Sequence, residues 1–322
     1  MADSSAAFVA YDVRPAKQIE RRGIVELLMS ARQAGYDIQG YRYVGFGGTK
    51  FVDFQLMERF VGFSTYQSIE HDSVIYGRCV FNKPFNSIKM FTGEFADFLL
   101  QDREDVNSVY WLDFDGALTP DTYANLVSVA NHLRDGDFLF VTLCAELPAG
   151  TRNKSEADRA QVLASRFPGF KTQIKKLPQR SFSEKGFRET AGTLLLEMFD
   201  SAFAVRVAEG KFHPLMKVIY SDTSWMVTVG GIFSAKHSRR YGRLKRLAKE
   251  KVGLFAPGSK RDFYKIPRIN ITELERILFD KSKLGHSNSY ARRLKMLGFS
   301  DDDLIKYHEI SRLVPRFVEA AF

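Results

Sequence analysis

Short apolar runs alternate with amphipathic stretches through the first half of the chain. The runs read YRYVG, STYQSIE, SIKMF, SVYWLDF and FLFVTLC, and glycine, proline or acidic residues bound each of them. Runs of this length that are rich in aromatic and β-branched residues predict buried strands, and the stretches between them have helical periodicity. Strand and helix alternate over roughly the first 145 residues, which predicts right-handed crossovers. We therefore expect an α/β fold with a doubly wound, mostly parallel sheet.

A helix is predicted before the first strand. Pro15 suits its first position, apolar residues recur at helical spacing, and Gly35 ends it. The helix starts with two cations, Arg14 and Lys17. These residues form a solvated helix face or reach a ligand pocket from above, and the sequence leaves both alternatives open.

The second half of the chain departs from this alternation. Residues 151–188 are polar and basic and indicate an insertion, and the apolar stretch 190–208 indicates a buried helix. Two apolar runs around Ser221-Asp222-Thr223 predict a closing antiparallel hairpin, an addition known from mixed sheets. Short helical patterns follow. We therefore expect an α/β domain over residues 1–233 and a C-terminal basic helical subdomain over residues 234–322.

Composition narrows the class of protein. The chain has 322 residues, of which 45% are hydrophobic and 26% charged, which is ordinary for a globular protein. No apolar run approaches the roughly 20 residues of a membrane span, and the N-terminus lacks a signal-peptide pattern, so we expect a cytoplasmic protein without membrane association. Cys79 and Cys144 have no partners at metal-ligand spacing, so neither a disulfide framework nor a metal site is predicted.

Positive charge is concentrated in one segment. The formal net charge is +9, and Lys236–Arg268 alone holds twelve Lys and Arg against two acidic residues. Tyr241, Phe255, Phe263 and Tyr264 are interleaved with these cations. Such a segment grips phosphates and stacks on bases, or it is a solvated helix face with core aromatics. Nucleic acid is therefore one candidate partner.

Four successive strands of the first half end in glycines or acids. Because the carboxyl ends of parallel strands meet at one edge of a sheet, these residues predict a ligand site there. Any single acid also caps helices, so the prediction depends on the set. The set comprises Gly45, Gly47 and Gly48 after the first strand, Glu70 after the second, Gly93 and Glu94 after the third, and Asp113 after the fourth.

The details of this set select among ligands. A dinucleotide fingerprint requires glycine three places after its second glycine, where this chain has Lys50, and no Gly-Lys-Ser/Thr phosphate loop is present. A ligand with a ribose and an adenine but no phosphate fits better. Glu70 would bind the ribose, Glu94 the adenine amino group, and the glycine loop an amino-acid tail, which describes S-adenosylmethionine. A nicotinamide enzyme is the alternative, because a glycine turn is ambiguous.

The order of these elements resembles the class I S-adenosylmethionine-dependent methyltransferases, a Rossmann-like fold. The strings RPAKQIER, YRYVGFGGTKFVDF, SIEHD, RCVFNKPF, WLDFDG and MVTVGGI resemble a prokaryotic group described as O-methyltransferases, some of them encoded near phage-defence genes. The resemblance covers most of the chain to about residue 233. It implies S-adenosylmethionine as cofactor, and cofactor contacts from Gly45, Gly47, Gly48, Glu70, His71, Gly93, Glu94, Phe95 and Asp113.

The fourth strand carries the candidate catalytic residues, Asp113 and Asp115. Either could remove a proton from an acceptor hydroxyl, or both could hold a divalent cation; Asp115-Gly116 could also be a plain turn. His71, His132, Asn82 and Lys83 are weaker candidates.

This strand departs from other methyltransferase patterns. It has neither the Asn/Asp-Pro-Pro-aromatic loop of N-methyltransferases nor a following Pro-Cys, so O-methylation of an unidentified acceptor is left by elimination. A different class, a nucleic-acid- or protein-binding defence component with weak or no catalysis, is the second hypothesis.

Overall fold

The computed structural model describes residues 14–235, 238–256, 258, 262–268, 271–284 and 289–315. Within these ranges, eight strands form one sheet. They are β1 (Arg42–Gly45), β2 (Thr65–Glu70), β3 (Ile88–Thr92), β4 (Ser108–Ala117), β5 (Phe138–Cys144), β6 (Gly210–Ser221), β7 (Trp225–Ala235) and β8 (Tyr264–Lys265).

The strand order is β3-β2-β1-β4-β5-β7-β6-β8. The first five strands pair in parallel, and β7 lies between β5 and β6 and is antiparallel to both. This arrangement confirms the predicted α/β class with a mostly parallel sheet and a closing antiparallel hairpin. The two-residue β8 adds a parallel edge beside β6, which the sequence did not predict.

Helices cover both faces of the sheet. They are α1 (Pro15–Gln33), α2 (Val52–Phe60), α3 (Ser73–Phe81), α4 (Phe95–Gln101), α5 (Pro120–His132), α6 (Glu156–Arg166), α7 (Lys171–Lys175), α8 (Glu184–Phe203), α9 (Arg239–Val252), α10 (Glu273–Leu284), α11 (Ser289–Met296) and α12 (Asp301–Ile310). One core lies between the sheet and α1, α2, α3 and α9, and a second core lies between the sheet and α4 to α8. The fold is therefore doubly wound.

The start of α1 is fixed by the hairpin that β6 and β7 form. Asp222, in the turn between β6 and β7, accepts hydrogen bonds at 3.0 Å from the backbone amides of both Ala16 and Lys17. A carboxylate at a helix N-terminus satisfies exposed N–H groups and complements the helix dipole. This contact fixes the first turn of α1 above the carboxyl ends of the strands.

The C-terminal part has two kinds of packing. Helix α9 buries Leu244, Ala248 and Val252 in the same core as α1. Helices α10 to α12 have a small core of their own, with Phe279, Leu294, Leu304 and Tyr307. The basic segment thus contacts the α/β layers directly, and the division after residue 233 stays a prediction.

The region called an insertion is helical. Helix α8 begins at Glu184, inside the range 151–188, and six residues before the start that the apolar stretch predicted. Its hydroxyl cap explains the difference, because the Ser183 side chain accepts from the Gly186 amide at 3.0 Å and starts the helix within a polar sequence. Among the described residues, no helix has the length and apolar character needed to cross a bilayer.

Candidate active site

A cleft of about 670 Å³ opens at the carboxyl edge of the sheet. The loops that follow β1, β2 and β3, the end of β4 and the start of α5 form its walls. Nine of the residues singled out in the sequence line it together: Gly47, Gly48, Glu70, His71, Gly93, Glu94, Phe95, Asp113 and Asp115. Gly45 lies within β1 and outside the lining.

The glycine loop is held close to β2. The Gly47 amide donates a hydrogen bond to Ser68 Oγ at 3.1 Å. A Cβ on Gly47 would lie 2.5 Å from the Phe51 ring, so no larger residue fits there without movement. Phe51 itself has a left-handed φ of 50° just before α2, and its ring is fully buried. The loop is therefore a rigid turn packed against the core.

Glu70 ends β2 with its side chain at the cleft wall. The residue is 7% exposed, and its Oε1 accepts a hydrogen bond from the Asp72 amide at 2.9 Å. The Cys79 thiol lies 3.8 Å from Glu70 Oε2, and burial, followed by the charge of Glu70, raises the pKa of Cys79 to about 12. Cys79 is thus a protonated structural thiol. The neighbouring His71 side chain is 73% exposed and lies 3.5 Å from Glu70 Oε1.

The loop after β3 forms the opposite wall. Gly93 adopts a φ of +133°, which disfavours other residues, and its amide donates to the Glu70 carbonyl oxygen at 3.0 Å. Glu94 follows as an exposed residue whose side chain makes no capping bond to α4. The Phe95 ring is buried, with its centroid 6.3 Å from that of Phe46. An acid and an aromatic surface therefore lie next to each other at this wall.

Strand β4 is longer than the sequence predicted. The sequence predicted a strand end at Asp113 and allowed a plain turn at Asp115-Gly116, but β4 extends to Ala117 with an irregular register against β5 between Asp113 and Ala117. Asp115 and Gly116 are exposed at the cleft. The plain-turn interpretation is therefore wrong, and the irregular pairing explains why the local pattern resembled a turn.

Asp113 is bonded to a buried lysine of α1. Lys17 Nζ lies 2.8 Å from Asp113 Oδ1 and 2.8 Å from Glu20 Oε2, and the lysine is 3% exposed. Its ammonium also donates to Tyr220 Oη at 3.2 Å and lies 4.8 Å from the centroid of the Trp111 ring. No other described residue bonds the second carboxylate oxygen of Asp113. Of the two alternatives for Lys17, the solvated helix face is excluded.

The Lys17–Asp113 pair belongs to a larger buried cluster. Glu20 is fully buried and accepts hydrogen bonds from Tyr220, Thr142 and Thr228, side chains of β6, β5 and β7. Arg21 lies one helical turn after Lys17 on α1, and its Nε bonds Asp53 Oδ1 of α2 at 2.5 Å. Both Arg21 and Asp53 line the cleft. The cluster thus contains three carboxylates and two cations.

Burial and the neighbouring carboxylates raise the pKa of Asp113. Burial raises the pKa of Asp113 to about 6; Lys17 opposes the rise, while Glu20 and Asp53 add to it. Burial lowers the pKa of Lys17, but the carboxylates of Asp113 and Glu20 outweigh burial, so the lysine stays charged. A carboxyl with a pKa of about 6 is suited to accept a proton near neutral pH.

The cleft as a whole is acidic. Seven acidic residues line it against two basic ones, Arg21 and Lys50. Such a surface attracts cationic ligands and repels polyanions. Among the described residues, no group of three or more His, Cys, Asp or Glu side chains is arranged to hold a metal ion.

Of the four weaker candidates, His71 lines the cleft and the other three lie elsewhere. Lys83 Nζ donates to the Ile88 carbonyl at 3.0 Å, Asn82 caps the end of α3, and His132 Nε2 bonds Asp102 at 3.1 Å. None of the three lines the cleft.

Sequence reasoning missed Glu20, Arg21 and Asp53. A signal was available, because positions 17, 20, 21, 24 and 28 fall on one helical face that joins three charged residues to Ile24 and Leu28. Charged residues in line with a buried apolar stripe indicate a buried polar cluster.

Comparison with known proteins identifies the family. The family model described as "Putative O-methyltransferase" matches residues 9–322, nearly the whole chain. The chain therefore belongs to this family. The methyltransferase class predicted from the sequence is confirmed, and with it S-adenosylmethionine as the cofactor that the family implies. No curated protein sequence matches the chain.

Solved structures of methyltransferases are similar at a distance. An O-methyltransferase from Bacillus cereus in complex with SAH is 13% identical over 71% of this chain and 86% of its own, with a TM-score of 0.40. The O-methyltransferase TomG from Streptomyces achromogenes, in complex with SAM, is 13% identical over 66% and 80%, with a TM-score of 0.38. The N-methyltransferase NodS from Bradyrhizobium japonicum, in complex with SAH, is 9% identical over 72% and 93%, with a TM-score of 0.37.

Proposed function

We propose that this chain is an S-adenosylmethionine-dependent O-methyltransferase that binds its cofactor in the cleft and uses Asp113 as its base. One observation carries the proposal. The glycine loop, Glu70, the Glu94–Phe95 pair and Asp113 come from four different strand ends and line one cavity of about 670 Å³. That volume is within the range of small-molecule sites, roughly 300–1,000 Å³.

The residues of the cleft fit the cofactor chemically. The Glu70 carboxylate receives the Asp72 amide on Oε1 and the Cys79 thiol on Oε2, which leaves acceptor capacity for ribose hydroxyls because an ionised carboxylate has about four lone-pair sites. Glu94 and Phe95 offer an acceptor and an aromatic surface to an adenine. When bound, S-adenosylmethionine supplies an electrophilic methyl group on a positively charged sulfur. An acidic cleft favours that cation and disfavours the pyrophosphate of a dinucleotide, which argues against a nicotinamide enzyme.

Asp113 has the position and the proton affinity of a general base. Lys17 holds Oδ1, so the second carboxylate oxygen is left to accept the proton of an acceptor hydroxyl. Asp115, exposed two residues further along β4, is on the same wall of the cleft and would contact the acceptor.

Lys17 acts through Asp113 and is a positioning residue. Its backbone amide bonds Asp222 and its ammonium bonds Glu20 and Asp113, so the backbone of Lys17 and the end of its side chain are both fixed. A carboxylate held this way loses little freedom when an acceptor arrives.

Calorimetry tests the proposal without knowledge of the acceptor. We expect saturable binding of S-adenosylmethionine and of S-adenosylhomocysteine, and no binding of NADH at the same concentration. Absence of binding of either adenosyl ligand at millimolar concentration, by a protein that unfolds cooperatively, would overturn the proposal.

The basic segment supports a second candidate, a nucleic-acid-bound acceptor or partner. Helix α9 turns its apolar stripe to the core and leaves six cations exposed: Arg239, Arg240, Arg243, Lys245, Arg246 and Lys249. Cations on one face are the electrostatic footprint of a phosphate backbone. Lys236, Lys260 and Arg261 of the predicted segment lie outside the described residues.

Salt dependence separates this second candidate from a merely solvated face. Binding of an RNA or DNA duplex that falls steeply with salt would favour it, and no binding at low salt would contradict it. A role in phage defence stays a prediction from the resemblance.

A further inference from the structure

Two arginines flank a tryptophan at the sheet edge that carries the cleft. Arg188 Cζ of α8 lies 3.8 Å from the centroid of the Trp225 ring at the start of β7, and Arg268 Cζ lies 5.6 Å from the same centroid. Arg268 also donates from Nη2 to Ser221 Oγ at 2.7 Å. Guanidinium groups stack on aromatic faces while their edges remain able to donate hydrogen bonds. The indole therefore fixes two guanidiniums that come from separate parts of the chain.

The two guanidiniums have donors to spare. Each guanidinium carries five N–H donors, and Arg268 uses one of them on Ser221. Within the described ranges, no carboxylate pairs with Arg188 or Arg268. Glu146 lies nearby and accepts from the Trp225 amide at 3.4 Å, but Arg152 already pairs with its carboxylate at 3.3 Å. The arginine pair is therefore a site for an anion that the chain itself does not supply.

Strand register places this cluster two strands away from the β4 wall of the cleft, and none of its residues lines the cleft itself. Ala117, which lines the cleft, pairs with Cys144 of β5, and Cys144 pairs with Met226 of β7. Two strand spacings, about 10 Å, thus separate Ala117 from Met226. Because β7 is antiparallel to β5, Trp225 lies one residue further toward the cleft edge than Met226. Asp113 itself pairs with Thr142 of β5, which pairs with Thr228 of β7, three residues from Trp225. An acceptor that extends from Asp113 across β5 to the arginines therefore spans roughly 14 Å.

We propose that Arg188 and Arg268, held by Trp225, bind an anionic group of the methyl acceptor. This inference rests on the proposed function and names its substrate class: a hydroxyl compound that also carries a phosphate or carboxylate group. Both anions match the planar donor edge of arginine. The cationic cluster thus binds an anionic acceptor, and the acidic cleft binds a cationic methyl donor.

Phenyl phosphate and phenylacetate serve as probes for the two anions. Each is titrated at constant ionic strength into the protein saturated with S-adenosylhomocysteine, and binding is followed by calorimetry and by tryptophan fluorescence. We expect saturable binding of one probe or both, with the tighter one identifying phosphate or carboxylate. The double variant R188Q/R268Q should weaken that binding about tenfold or more.

The control removes the same charge elsewhere. R292Q/R293Q takes two exposed cations from α11 and should leave probe binding unchanged. Equal weakening by both double variants, or no saturable binding of either probe to the wild-type protein, would overturn the inference. S-Adenosylhomocysteine affinity should be the same in all variants, so loss of the anion site and failure of the cofactor site are distinguishable.

Discussion

Two half-buried aspartates at opposite edges of the same sheet have opposite environments. At the amino edge, Asp102 receives both ends of the Arg42 guanidinium, at 2.8 and 2.6 Å, and a further bond from His132. At the carboxyl edge, Asp113 shares one lysine with Glu20. Burial opposes the ionised form of Asp102, but the bonds from Arg42 and His132 outweigh burial and hold its pKa well below the usual range. The pKa of Asp113 is raised instead.

The difference separates an ion pair that maintains the fold from one that is suited to chemistry. Arg42 and Asp102 are each 2% exposed in their side chains and pair in bidentate geometry, and Arg42 has a second, longer ion pair with Glu104 at 3.5 Å. Around Asp113 the carboxylates outnumber the cations, and its side chain is 17% exposed toward the cleft. A carboxylate whose charge is incompletely balanced takes up protons readily, as the base in the proposed reaction must.

The largest effect should come from Asp113→Asn. The amide cannot accept the proton of an acceptor hydroxyl, so we expect methyl transfer to fall by roughly 10²- to 10⁴-fold. Transfer of a labelled methyl group from S-adenosylmethionine to the acceptor fraction that the wild-type protein labels would measure it. Binding of S-adenosylhomocysteine should stay within about threefold; activity close to wild type would remove Asp113 from the role of base.

Asp102→Asn should lower the free energy of unfolding and leave the rate of methyl transfer per folded molecule unchanged. Removing the charge leaves Arg42 buried without a full partner, which costs about 3–5 kcal/mol of the free energy of unfolding. Denaturant unfolding measures the loss. The same rate of methyl transfer per folded molecule is expected, and a loss of transfer larger than the loss of folded protein would contradict the assignment of this pair to structure.

Glu70→Ala should weaken cofactor binding while the fold persists. Loss of hydrogen bonds from a carboxylate to ribose hydroxyls costs about 1–3 kcal/mol, a rise in Kd of roughly 5- to 150-fold. Calorimetry with S-adenosylhomocysteine measures it, with Glu26→Ala on the exposed side of α1 as the matched control. Unchanged affinity in Glu70→Ala would exclude Glu70 from the cofactor site.

Titration by ¹³C-carboxyl NMR should give opposite signs for the two aspartates. Because Asp113 binds its proton more tightly in the fold than in the unfolded chain, its contribution to stability falls as pH rises from about 4 to 6. The contribution of Asp102 is present above the ordinary Asp pKa of about 4 and is lost as pH falls below it. Methyl transfer should decline below pH 6. Equal pKa values for the two residues would remove the contrast.

The smallest effect concerns Lys17. Its charge lowers the pKa of Asp113, so Lys17→Met should move the acidic limb of the activity profile to higher pH. A shift on the order of one pH unit is expected, since one opposite charge in contact contributes about that much or more. A lower rate with an unmoved limb would mean that Lys17 only supports the fold.

Local patterns were sufficient to predict seven of the eight described strands and to group several residues of the cleft. Apolar runs ending in glycine or acid are encoded within a few residues of each other, and parallel strands bring such ends to one edge, so Glu70, Glu94 and Asp113 could be grouped from sequence. The proline and the periodicity of α1 likewise predicted its limits.

What could not be predicted depends on contacts between distant residues. Lys17 and Asp113 are 96 positions apart, and Glu20 and Thr228 are 208 apart. Nothing local to Asp113 reveals that α1 covers it. That burial is the largest cause of its raised pKa, with Glu20 adding to the rise and Lys17 opposing it. Arg188, Trp225 and Arg268 also come from three separate segments of the chain, so the sequence could not group them. The charge composition pointed instead to α9 as the cationic surface.

A crystal structure with S-adenosylhomocysteine bound would show directly whether the cleft is the cofactor site. We expect the ligand in the cleft, with its ribose hydroxyls within hydrogen-bond distance of Glu70, its adenine beside Glu94 and Phe95, and its sulfur at the Asp113 end. A ligand bound elsewhere on the chain, or bound in the cleft with its ribose away from Glu70 and its sulfur away from Asp113, would contradict it.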